Sequence, residues 1–328
     1  MKRQVVLLLG AGSEALLGSR LAPLFELVGF PETVGPLSLA AALVRLEAPL
    51  VHIRMSGSWR DLACVAAAKA CGARVLCQVQ GELRGLLRLA ARLADLVVVP
   101  SRVALETLRA RAPATAAEVV PGGIEVQPYL RYNRAAPERD APLRLIYVGP
   151  LAPGQGLPET IEALRLALGR GVYVRLVIAG SGREEARLRQ QVRDCGLARD
   201  VTFVGEVAGD HKAQLLSQAD AFVLAAYSGG LPYRLLEAMA AGVVPIVTPV
   251  GAVPEVMNGL ECGLLVEPRD AQALADAMCE LANDRVRVLR MSAACRARIA
   301  AAYSADRLAH DFSQLYQGLC AARSPRVA

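Results

Sequence analysis

Glycine-rich turns and a few charged side chains carry the chemistry open to this chain of 328 residues. Each turn follows a short apolar run and opens a helical one: Gly10-Ala11-Gly12-Ser13-Glu14-Ala15, Gly149 to Gly156, Gly180-Ser181-Gly182, and Gly229-Gly230-Leu231-Pro232. Backbone N–H groups at such turns and helix starts can hold phosphate without side-chain charge. Glu237 stands on the otherwise apolar helix LLEAMAAG. It either points into a cleft as an acceptor for hydroxyls or is an exposed helix carboxylate. Arg234, three residues earlier, shares its face and either pairs with Glu237 or offers a guanidinium to a phosphate.

Composition removes several other chemistries. The eight cysteines include no Cys-x-x-Cys pair and there are three histidines, so no zinc or iron-sulfur spacing exists. Settings such as AMCEL and DLACVAAA fit small core residues in a reducing cytoplasm. No Asp-x-Asp occurs, so a metal-dependent sugar transfer is not expected. His52 sits in an apolar strand and reads as a buried side chain rather than a base. The Gly10 turn fits a dinucleotide fingerprint, but the acidic partner such a site needs at the end of the second strand is missing, because Glu32 lies in a Pro-flanked loop. An NAD-type dehydrogenase is therefore the weaker alternative.

Charge points to an anionic partner that is not nucleic acid. Residues 1–140 carry 17 Lys and Arg against 12 Asp and Glu, while aromatic residues are 4% of the chain and do not interleave with the basic ones. An anionic membrane surface or a lipid-linked substrate fits better. Arg84, Arg88 and Arg92 recur every four residues opposite Leu83, Leu86, Leu87 and Ala90. They form a basic amphipathic stripe for such a surface, or the solvated face of an ordinary helix. The start MKRQVVLLLGAGSE runs directly into a turn and reads as a first buried strand, and no apolar run is long enough to span a bilayer.

The elements that must hold these residues follow from periodicity. Short apolar runs alternate with longer amphipathic ones: QVVLLLG and a helix from about 13 to 27, LVHIRM and 58 to 70, RVLCQV and 82 to 93, DLVVVP and 101 to 111, then EVVP. A second series runs through LRLIYVG, YVRLVIAG, VTFVG, DAFVLA, VVPIVT and GLLVE. This rhythm predicts two doubly wound, Rossmann-like parallel sheets in tandem, over residues 1–140 and 141–304. The polar segment NRAAPERDAP, 133–142, reads as a linker, and a helix in 305–328 is expected to pack back on the first domain.

From residue 143 onward the chain resembles the family 4 glycosyltransferases of the GT-B fold. The resemblance rests on YVGPLAPGQGLPETIEAL, VIAGSGREEARL, VTFVGEV, GLPYRLLEAMAAG and GLLVEPRDAQALADAM in that order. APLVHIRMSGSWR, GARVLCQVQGEL, LADLVVVPSRVALETL and VVPGGIE resemble the landmarks of the family's first domain more loosely. The resemblance implies a retaining, metal-independent transfer of a sugar from a nucleotide-sugar to a glycan or lipid-linked acceptor in surface-glycan assembly, on or near the inner membrane face.

It also implies a donor site built from Gly12, Gly149, Gly156, Ser181, Val204, Gly230, Leu231, Pro232 and Glu237, with Glu237 at the ribose. Four positions depart from the family's pattern. Pro150 and Gln155 stand where an arginine and a lysine grip the diphosphate, Gly229 replaces a sugar-binding glutamate, and Gln80 replaces a histidine near the transferred sugar. No basic residue lies between Val148 and Thr160, and with only Lys2, Lys69 and Lys212 in the chain no lysine is expected to stand in. Arg234 is the compensating cation within reach in the sequence. A catalytically silent binding module of the same fold is the alternative.

Overall fold

In the computed structural model the chain forms two compact units, Met1–Gly123 with Ser304–Ala328, and Ile124–Tyr303. The structure describes residues 4–9, 13–31, 33–79, 86–132, 141–257, 259 and 261–321. Residues 124–132 group with the second unit, so the first crossing falls at Gly123/Ile124, ahead of the segment where the sequence puts the boundary.

The first unit holds β1 (Gln4–Leu9), α1 (Ser13–Leu21), β2 (Phe25–Phe30), α2 (Pro36–Leu46), β3 (Leu50–Met55), α3 (Trp59–Ala70), β4 (Arg74–Val79), α4 (Leu86–Leu93), β5 (Leu96–Val99), α5 (Arg102–Arg111) and β6 (Ala117–Val119). The sheet order is β2-β1-β3-β4-β5-β6, all parallel. Both faces are covered. Leu7 and Leu9 of β1 join Leu39, Val65 and Leu108 on one side, while Val6 and Leu8 join Leu17, Leu21 and the C-terminal helix Ala305–Ala321 on the other. Burial on both faces is why the strands read as continuous apolar runs.

Two elements differ from expectation. The helix expected over 13 to 27 stops at Leu21, and Phe25–Phe30 is an edge strand followed by α2. Pro23 cannot continue a helix, and FELVGF pairs only with β1 and is mostly half-buried, so it lacks the dense apolar signature of a central strand.

His52, in β3, is buried, and its Nδ1 lies 2.6 Å from the Tyr316 hydroxyl of the C-terminal helix. Burial lowers its pKa from 6.5 to about 4, with a hydrogen bond to Gln78 opposing and the Arg54 charge adding. Below about pH 6.5 the unfolded chain therefore takes up a proton that the fold refuses until about pH 4. The first unit should lose on the order of 3 kcal/mol across that window. The chain's one tryptophan, Trp59, lies in this unit, so its fluorescence in urea titrations at pH 7, 5.5 and 4 reads the slope. A His52→Gln variant should flatten it, and an unchanged slope in that variant would reject the assignment.

The second unit holds α6 (Gln127–Leu130), β7 (Leu143–Val148), α7 (Leu157–Gly169), β8 (Val174–Ala179), α8 (Glu185–Asp194), β9 (Val201–Gly205), α9 (Gly209–Ser217), β10 (Ala221–Leu224), α10 (Tyr233–Ala240), β11 (Val244–Val247), α11 (Val253–Met257), β12 (Leu264–Leu265), α12 (Ala271–Asn283) and α13 (Arg285–Ala302). Its sheet runs β12-β11-β10-β7-β8-β9, again all parallel. Strand order reverses between β7 and β10. At such a switch point the loops leaving neighbouring strands diverge and open a crevice at the carboxyl edge of the sheet. Those loops are Gly149 to Gly156 and Ala225 to Pro232.

Candidate active site

Glycine is required in the β8 loop because its backbone meets that of the β7 loop. A Cβ on Gly180 would stand 1.8 Å from the Gly149 oxygen, and one on Gly182 would stand 2.3 Å from the Leu151 oxygen. The Gly149 amide donates to Ala179 (2.8 Å), and the Leu151 amide to Ser181 (2.8 Å). Gly156, which caps α7 with φ +70°, presses on the end of β10, where its Cβ would lie 2.0 Å from the Ala225 oxygen. The Tyr227 amide donates to Gly154 (2.9 Å), and the Tyr227 hydroxyl donates to Glu159 in the first turn of α7 (2.6 Å). The β7, β8 and β10 loops are thus one stitched surface.

Arg234 lies against that surface. Its Nη1 is 3.4 Å from the Val148 carbonyl oxygen, and a Cβ on Gly149 would be only 1.7 Å from it. The guanidinium therefore occupies the space that a side chain at position 149 would fill. The buried Tyr147 hydroxyl, beside Arg234, donates to the Pro150 carbonyl (2.8 Å) and faces Gln155 Oε1 at 3.5 Å. Burial pushes the Tyr147 pKa up to about 12 against the opposing pull of Arg234. It stays a neutral donor at physiological pH.

Glu237 does not pair with Arg234. Its Oε1 lies 2.7 Å from Lys212 Nζ of α9, and the buried Tyr129 of α6 faces the same carboxylate. Burial, followed by the Glu237 charge and hydrogen bond, pushes the Tyr129 pKa up. Lys212 thus reaches the site through Glu237 and not at the Gly149 to Gly156 turn, where no lysine is expected. Lys212 is 25 residues upstream of Glu237, and only the fold brings α9 to α10, so no local signal marks it.

The remaining sequence candidates divide. Gly149, Pro150, Gln155, Gly156 and Ser181 join Arg234 in the stitched surface, with Pro150 exposed. Gly229 and Gly230 are exposed and pack on the β11 loop, where a Cβ on Gly251 would lie 2.1 Å from the Gly229 oxygen. A side chain at Gly229 or Gly230 itself would meet nothing within 4 Å. Leu231 and Pro232 are half-buried at the start of α10. Val204 sits on the edge strand β9, separated from β10 by β7 and β8 and not adjoining Arg234 through any of these contacts. Ser181 Oγ faces Glu206 at 3.5 Å. Gly12, Gln80 and Arg84 lie outside the described residues. Among the described residues no group of three or more His, Cys, Asp and Glu is placed to hold a metal ion.

Residues 131–299, just over half the chain, match the family model of glycosyl transferases group 1. The chain belongs to that family and has its GT-B fold. It is 32% identical over 302 residues to a GDP-mannose-dependent alpha-(1-6)-phosphatidylinositol monomannoside mannosyltransferase of Mycobacterium tuberculosis, covering 87% of this chain and 76% of that protein. Sucrose-phosphate synthase of Thermosynechococcus elongatus shares the fold with a TM-score of 0.78 at 21% identity, over 98% of this chain and 100% of its own. Anabaena HepE in complex with UDP-glucose superposes with a TM-score of 0.73 at 18% identity, over 96% and 100%.

Proposed function

We propose that this protein is a retaining hexosyltransferase that takes a sugar from a nucleotide-sugar and adds it to a glycan or lipid-linked acceptor in surface-glycan assembly. One observation carries the proposal. Arg234 fills the place beside Gly149 where the donor diphosphate is expected, so a cation from α10 replaces those missing at Pro150 and Gln155. Transfer breaks the bond between the anomeric carbon and the diphosphate, and charge grows on the departing phosphate. A guanidinium and the amides at the start of α7 would stabilise that charge. Glu237, fixed by Lys212 and Tyr129, would accept from the ribose hydroxyls, and Gly229 leaves room for a larger sugar or for water.

The Mycobacterium relative, named for GDP-mannose and a phosphatidylinositol mannoside, supports a lipid-linked acceptor. So does α4, where Arg88 and Arg92 alternate with the exposed Leu89 and Leu93. No helix among the described residues is long and apolar enough to cross a membrane, so contact with the inner face would be peripheral. The test is transfer of labelled sugar from a panel of GDP-, UDP- and ADP-sugars to extracted glycolipids. The anomeric configuration of the product would be read by NMR. Product from one donor with its configuration retained is expected. No product from any donor would favour a silent binding module.

A further inference from the structure

Lys212 reaches this site from α9, through Glu237 on α10. Its ammonium takes Glu237 Oε1 at 2.7 Å, with both side chains about four-fifths buried (21% and 17% exposed). Without it, the cation nearest Glu237 along the helix is Arg234, three residues away, where opposite charges attract. The two demands on Arg234 exclude each other. A guanidinium turned to Glu237 is no longer beside Gly149. Tyr129 also faces Glu237, but a neutral hydroxyl leaves the carboxylate charge in place.

We infer that Lys212 is a positioning residue for donor binding: by holding Glu237 it releases Arg234 to the Gly149 turn, and so sets the positive charge a nucleoside diphosphate meets. This rests on the proposed role of Arg234 as the diphosphate cation. The groups facing the pair also fit. Arg131, just past α6, and Asp210 of α9 sit 4.0 Å apart, both exposed, so that carboxylate has its own partner and does not compete for Lys212. A lysine that only tied α9 to α10 would change stability alone, and the effect of Arg234 would be independent of it.

A double-mutant cycle separates the two roles. Calorimetric titrations with GDP, UDP and ADP would compare the natural chain with Lys212→Ala, Lys212→Arg, Arg234→Ala and the Lys212→Ala, Arg234→Ala pair, with thermal unfolding recorded for each. Whichever diphosphate binds the natural chain should bind Lys212→Ala about tenfold more weakly and Lys212→Arg within about threefold. The pair should be no more than about threefold weaker than Arg234→Ala alone, because Lys212 acts through Arg234. Losses that multiply, or undiminished binding by Lys212→Ala, would overturn the inference while leaving Arg234 as the cation.

If no diphosphate binds the natural chain, the donor proposal falls first and this falls with it. Should Lys212→Ala not fold, the Lys212→Ala, Glu237→Gln pair replaces it. With the carboxylate charge gone Arg234 has no rival partner, so adding Arg234→Ala should again cost about tenfold. No further loss in that background would also overturn the inference.

Discussion

A Gln155→Lys, Gly229→Glu double variant should bind its nucleotide-sugar about 100-fold more tightly than the natural chain. Each substitution adds one charge-assisted hydrogen bond, worth about 1.5 to 3 kcal/mol, and two of them at the lower end give that factor. The backbone allows both. Gly229 is not in the left-handed region, and a side chain there meets open space, so the new carboxylate costs no strain. Gln155 is half-buried and faces Tyr147, which also neighbours Arg234, so the new ammonium would stand near an existing guanidinium. The two cations repel in the free protein and are both neutralised by a diphosphate. Gln155→Lys alone should therefore lower the unfolding temperature slightly while raising affinity. Calorimetry on the single and double variants reads both effects. A double variant no tighter than the natural chain would mean that these loops do not surround a donor.

Arg234→Ala should reduce kcat/KM for transfer by about 10- to 100-fold, the worth of one guanidinium–phosphate contact in a partly buried site. The fold should hardly respond. The guanidinium's bond to the Val148 carbonyl is long, at 3.4 Å, and the loop beneath it is held by backbone bonds from Gly149, Leu151 and Glu184. Arg234→Lys should recover part of the rate, because an ammonium supplies charge without the planar fork. If the loss appeared as a lower unfolding temperature with transfer intact, Arg234 would be a structural residue.

The second unit is legible in sequence because its strands are short apolar runs, and the β7 and β8 runs end in the glycines that their backbone contacts demand. LLEAMAAG placed Glu237 correctly on α10. The direction of Arg234 was not legible. Residues three apart on a helix share a face, which fits both an ion pair with Glu237 and a reach toward the phosphate turn. What decides between them is Lys212, delivered by a different helix. Likewise β2 was hidden because an edge strand needs only one apolar side, and Pro23 was the signal that should have ended the preceding helix. The crossing at Gly123/Ile124 carries no sequence signal, because α6, a four-residue helix, is too short to show a period.

The claim that one arginine on α10 supplies the diphosphate cation is tested most directly by calorimetric titration of the natural chain and Arg234→Ala with matched nucleoside mono- and diphosphates of guanosine, uridine and adenosine. The natural chain should prefer the diphosphate of its nucleotide by about tenfold or more, and Arg234→Ala should bind the two forms nearly alike. An undiminished preference for the diphosphate in Arg234→Ala would contradict the account.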